Sequence, residues 1–163
     1  MARRAAFTAA LILICAALQL SVLHYFAIRR VQPDLLLVVT VIIGLWSGPR
    51  AAMAVGFSAG VLEGALAGRW IGVYAGAKTI VGYLAGDIAG RVFAESLLVV
   101  MGAVTVLTLV NEAIFDIFAH PARLWPMTAY AIERAIYNAG AALLISSALR
   151  RLRRLLPPKE VGA

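Results

Sequence analysis

Charge is scarce in this chain. Asp, Glu, Lys and Arg make up 14% of its 163 residues, against about a quarter in soluble domains. That excludes a water-soluble globular domain. With 63% hydrophobic residues, the composition is that of an integral membrane protein. Cysteine is scarcer still. Cys15 stands alone, so no internal disulfide can form. The histidines are His24 and His120, far apart and each beside an expected helix end. Catalytic motifs are missing: there is no GxSxG turn, no HExxH, no CxxC and no GxxxxGKS/T phosphate loop. Ser58, Ser96, Ser146 and Ser147 have no nearby base. No enzyme activity, metal or cofactor is therefore expected. The apolar runs are uniform and lack the alternation of a membrane β-barrel.

What is present is length for five or six spans and little else. A span takes about 20 residues. The expected fold is all-α, a compact bundle of six transmembrane helices in a single domain over 1–163. The expected spans are about 5–28, 33–47, 50–67, 71–90, 97–118 and 127–149, with a basic cytoplasmic tail at 150–163. The first run follows Arg3-Arg4, as in a signal peptide. It is long, however, and ends at Tyr25-Phe26 and Arg29-Arg30 without a small-residue cleavage pattern. It is read as helix one. Pro33 fits the first position of helix two, and Asp34 suits the positive end of its dipole. Gly48-Pro49 stops that helix. Its roughly 15 residues reach about 22 Å, short of the hydrocarbon core of about 30 Å. Helix two must thin the bilayer or be sheltered inside the bundle.

The basic residues set the orientation. With six helices, both termini share a side. That side collects Arg3, Arg4, Arg50, Arg91, Arg150, Arg151, Arg153, Arg154 and Lys159. The other side holds Arg29, Arg30, Arg69 and Arg123. Positive residues favour the cytoplasm, so both termini are expected there. The cluster Arg150, Arg151, Arg153 and Arg154 suits anionic lipid headgroups. No aromatic residues interleave with it, which argues against nucleic acid.

Glycine is concentrated at Gly56, Gly60, Gly64, Gly68, Gly72 and Gly76, then Gly82, Gly86 and Gly90. In a membrane, glycines let helix backbones approach closely. A step of four drifts by about 40° around a helix, so the stripe must turn or break. Gly68-Arg69-Trp70 is the expected break, with Trp70 as an interfacial anchor. The expectation is a tight hairpin of helices three and four that forms the packing centre.

Charges inside spans are expensive unless paired. Glu63, Lys78, Glu112, Asp116, Glu133 and Arg134 fall there. Folding the hairpin about Arg69-Trp70 brings Glu63 to the depth of Gly76, and a Glu63–Lys78 pair is expected. It either fixes register or serves a proton or substrate site. Glu112 and Asp116 share a helix face and repel. Arg134 is the cation expected to relieve them, with hydrogen bonds from Asn111 and Asn138. The alternative is a proton-linked carboxylate pair. Asp87 and Arg91 are expected to form an interfacial i, i+4 pair.

The order of features resembles one family. Pro33-Asp34-Leu35-Leu36 is followed by Gly56-Phe57-x-x-Gly60-Val61-Leu62, an Ile71-Gly72 step, and Gly82-Tyr83-Leu84-Ala85-Gly86. Together they resemble the MreD family of bacterial rod shape-determining membrane proteins. The family pattern carries an aspartate where Gly64 stands here; Glu63 is one residue earlier, a turn of about 100° on a helix. The resemblance implies a non-catalytic component of the inner (cytoplasmic) membrane in the elongation machinery that supports lateral peptidoglycan synthesis. Implied partners are an MreC-like scaffold protein, an MreB-like filament, and a RodA-like glycosyltransferase with its transpeptidase; a homodimer is a further option. Helix two and the glycine hairpin would form the surface that meets the MreC-type helix. The family is also similar in fold to the substrate-binding subunits of energy-coupling-factor transporters. The rival reading is thus a vitamin or small-molecule transporter subunit. A proton-coupled transporter would rest on Glu112 and Asp116.

Overall fold

The computed structural model describes residues 2–21, 31–91, 96–119 and 129–155, with side chains for 8–19, 21, 31–91, 96–119 and 129–151. Six helices make up the elements: α1 (Ala2–Ser21), α2 (Leu35–Ser47), α3 (Pro49–Ala67), α4 (Ile71–Ile88), α5 (Leu97–Ala119) and α6 (Ala129–Leu155). Of these, α5 is long and apolar enough to cross a membrane; α2 and the Thr8–Gln19 part of α1 are shorter apolar stretches.

The most buried helix is α2, and the expected α3–α4 hairpin is the most extensively packed pair of helices. One face of α2, formed by Leu37, Val38, Val41, Ile42 and Leu45, packs on Val81 and Ala85 of α4, Val100, Val104 and Leu107 of α5, and Ala142 of α6. The opposite face, Leu35, Leu36 and Val39, packs on Ile12, Cys15 and Ala16 of α1 and Val55 and Ala59 of α3. A helix that is apolar all round is a buried one. The short helix two is therefore sheltered inside the bundle. That removes it from the surface expected to meet a partner helix.

Local signals explain the ends of α2. Asp34 is its N-cap, and its Oδ1 accepts a hydrogen bond from the Leu37 backbone N–H at 2.9 Å. Pro33 thus lies one residue before the cap, outside the helix. The proline in a first turn is Pro49, which opens α3. Between the two helices Gly48 has φ +81°, a conformation that residues with a Cβ seldom adopt.

The α3–α4 hairpin is built on some of its glycines only. Gly64 lies against Ile71, Gly60 against Tyr74 and Ala75, and Gly56 against Lys78. In return Gly82 lies against Ala52, and Gly86 against Pro49. A Cβ on Gly60 would come within 2.5 Å of the Ala75 Cα, so the backbones touch there. This antiparallel register is centred between Ala67 and Gly68. It sets Glu63 level with Gly72 rather than with Gly76, the position expected from a fold about Arg69-Trp70.

Gly68, Gly72, Gly76 and Gly90 were also expected to pack helices, but among the described residues a Cβ on any of them would meet nothing within 4 Å. The contact face of α4 runs Ile71, Ala75, Lys78, Gly82, Gly86, a mixed step of four and three. Gly72 and Gly76 are each one residue off that face, about 100° round the helix. Gly68 instead caps α3 in the left-handed region at φ +66°. Gly44 of α2 does belong to the packed set, since its Cβ would lie 2.6 Å from the Ala85 Cβ.

Helix α6 runs on to Leu155. The basic run is therefore helical where a tail after residue 149 was expected. Arg150 and Arg151 lie on its last turns; the side chains of Arg153 and Arg154 lie outside the described residues, as do His24, His120 and Arg123. Asp87 and Arg91 form an exposed pair at 3.5 Å.

Candidate functional site: a buried charge cluster beside a cleft

Five of the six helices each send one charged side chain to a common point. Asp34 comes from the start of α2, Glu63 from α3, Lys78 from α4, Glu112 from α5 and Arg134 from α6. Lys78 is 1% exposed. Its Nζ donates to Asp34 Oδ2 and lies 2.7 Å from Glu63 Oε2. Arg134 Nη1 donates to Glu112 Oε1 at 2.9 Å. Its Nη2 lies 3.8 Å from Asp34 Oδ2 and 3.9 Å from Glu63 Oε1. Low polarity around buried charges makes each such contact stronger and each vacancy more costly.

The neutral polar groups tie this cluster to the backbone. Asn138 Oδ1 accepts from the Asp34 backbone N–H at 2.7 Å, and Asn138 Nδ2 donates to Thr108 Oγ1 at 3.0 Å. The Thr108 hydroxyl in turn donates to the Val104 carbonyl at 2.7 Å. Asn111 Nδ2 reaches Glu112 Oε1 at 3.4 Å. From α1, Gln19 Oε1 accepts from the Leu35 backbone N–H at 3.1 Å.

The Glu63–Lys78 contact joins the pair expected from the hairpin, although the register differs. Their helix positions are not level, and the long lysine side chain closes the gap. Arg134 does meet Glu112, and Asn111 adds a hydrogen bond there. Asn138 does not; it serves Asp34 and Thr108. Asp116 lines the cleft described below. Sequence reasoning treated Asp34 as a partner for the helix dipole alone. The signal that it is more was the uniformly apolar α2. A helix buried on all faces must start inside the bundle, so its capping carboxylate needs a cation.

A cleft of about 450 Å³ opens beside the cluster, lined by Asp34, Asn111, Glu112, Asp116 and Arg134, the rings of Tyr74, Phe115 and Tyr130, and Arg69. Tyr74 and Phe115 pack with ring centroids 4.7 Å apart. The Arg134 guanidinium sits 5.9 Å from the Tyr130 ring centre. Arg69 belongs to the α3–α4 turn, where Trp70 takes a positive φ of 57°.

No curated protein and no solved structure matches the chain. A family model described as rod shape-determining protein MreD matches residues 2–154, and on that coverage the chain belongs to the MreD family of rod shape-determining membrane proteins.

Proposed function

We propose that this chain is a non-catalytic, multi-pass component of the bacterial inner membrane that holds an MreC-type partner within the rod-elongation machinery. The family match carries this reading. In it the partner set includes an MreB-like filament and a RodA-like glycosyltransferase with its transpeptidase, and the activity supported is lateral peptidoglycan synthesis. Both termini are cytoplasmic, and the basic end of α6, with Arg150 and Arg151, lies on the inner leaflet.

The structure supports a scaffold in two ways. The buried charges are engaged with one another, which suits a lock that holds five helices in register. The outside is apolar: Leu13, Leu98, Val106, Phe118, Ile136 and Leu144 are exposed, and lipid or a partner helix would cover them. With α2 buried, the partner surface moves to the outer face of the hairpin, where Gly72 and Gly76 are open.

The test is a detergent pull-down of the tagged chain from its native membrane. Recovery of an MreC-like protein is expected; its loss in Gly72→Leu and Gly76→Leu, at unchanged protein level, would place the contact. A second reading, a substrate-binding subunit similar in fold to those of energy-coupling-factor transporters, is favoured by the cleft. Recovery of an ATPase pair or a bound vitamin instead of the scaffold would overturn the first reading in its favour.

A further inference from the structure

We propose that the cleft holds the headgroup of a zwitterionic aminophospholipid, its phosphate at Arg69 and its ammonium at the inner wall. The proposal rests on the membrane-spanning reading above, which sets the Arg69-Trp70 turn at headgroup depth. Trp70 is 44% exposed at that turn, as an interfacial aromatic anchor should be.

Charge in the cleft is graded from mouth to floor. Arg69 is exposed at the mouth. Deeper in stand Asp34, Glu112 and Asp116 against Arg134. Behind them stand Glu63 and Lys78, and the cluster of Asp34, Glu63, Glu112, Lys78 and Arg134 carries one uncompensated negative charge when all five are ionised. A simple anion is drawn to Arg69 and repelled further in. A simple cation suits the floor and meets Arg69 on entry. A group that is anionic outside and cationic inside matches both ends.

The inner wall also has the chemistry of an ammonium site. Tyr74 and Phe115 present rings, and aromatic faces attract cations. Asn111, a wall residue 5% exposed, has no hydrogen-bond partner for Oδ1 among the described residues. An ammonium brings three donors. The volume lies within the roughly 300–1,000 Å³ common for ligand pockets.

The experiment is native mass spectrometry of the full-length chain in detergent, titrated with phosphatidylethanolamine or phosphatidylglycerol. Phosphatidylethanolamine should be retained at least fivefold more strongly. Arg69→Ala and Asp116→Asn should each reduce that retention to the phosphatidylglycerol level, with thermal midpoints near the parent's. Displacement by soluble phosphoethanolamine would show that the headgroup chemistry suffices. Preference for the lipid without such displacement would identify the bilayer as the source. Equal retention of the two lipids, or a preference that survives both variants, overturns the proposal. Partner recovery is read separately from lipid content. Loss of the lipid preference with the partner retained therefore sinks this proposal alone.

Discussion

Replacing Lys78 with methionine should be among the most damaging single changes in the core. The side chain is 1% exposed and contacts two carboxylates, Asp34 and Glu63. Methionine fills a similar volume, so the loss is chiefly electrostatic. Without Lys78, three carboxylates face Arg134 alone, whose Nη2 is 3.8 Å from Asp34 and 3.9 Å from Glu63. Removing one partner of a buried pair costs about 3–5 kcal/mol, and here two carboxylates lose their nearest cation. At about 2–4 °C per kcal/mol for a chain of this size, the melting midpoint should fall by roughly 6–20 °C. Adding Glu63→Gln to Lys78→Met returns the cluster to the parent's single excess negative charge. The double variant should recover part of the loss, with a coupling of about 1 kcal/mol or more. The assay is thermal unfolding in mild detergent, followed by the fraction that stays monodisperse. A midpoint within 2 °C of the parent, about the least resolvable effect on that scale, would refute the reasoning. So would strictly additive losses.

Other variants probe neighbouring parts of the argument. Gly60→Leu should abolish folded protein, because even a Cβ there would meet the Ala75 backbone at 2.5 Å. Gly76→Leu, with open space at its Cβ, should leave the yield unchanged; equal yields for the two would contradict the hairpin register. Arg134→Leu should lower the melting midpoint, since it strips Glu112 of its 2.9 Å contact. Unchanged melting and assembly would remove Arg134 from the lock. Asn138→Leu leaves the Asp34 N–H without its acceptor and should cost about 1–3 kcal/mol, read in the same unfolding assay.

Much of the fold was legible because the punctuation is strong. Gly48-Pro49 and Gly68-Arg69-Trp70 separate apolar runs that have no other reading, and six helices follow. The Glu63–Lys78 contact was legible because a tight hairpin leaves two opposite charges few other partners. The glycine seam was only half legible. A spacing of four looks continuous in sequence, yet the contact face on α4 steps by four and three, so Gly72 and Gly76 rotate away while Gly82 and Gly86 stay. Asp34 was hidden by its own fit to the positive end of the helix dipole. One local role explained it, and nothing nearby in sequence announced Lys78, 44 residues on.

The topology of the cluster explains why such a lock would be useful in a small membrane bundle. Helix association in lipid has no hydrophobic drive and depends on packing and polar contacts. Packing on α2 is apolar on both faces, and apolar surfaces slide past one another at little cost. One carboxylate at the start of α2, bound by a lysine from α4 and approached by an arginine from α6, fixes the depth of α2 relative to both. Glu63 and Glu112 then fix α3 and α5 against the same two cations. The α1 helix stands outside this arrangement. It joins through Gln19 and an apolar patch, and carries no charge into the cluster among the described residues. The buried ion pairs therefore tie α2–α6 to one another, and among the described residues α1 joins them through a hydrogen bond and apolar packing instead.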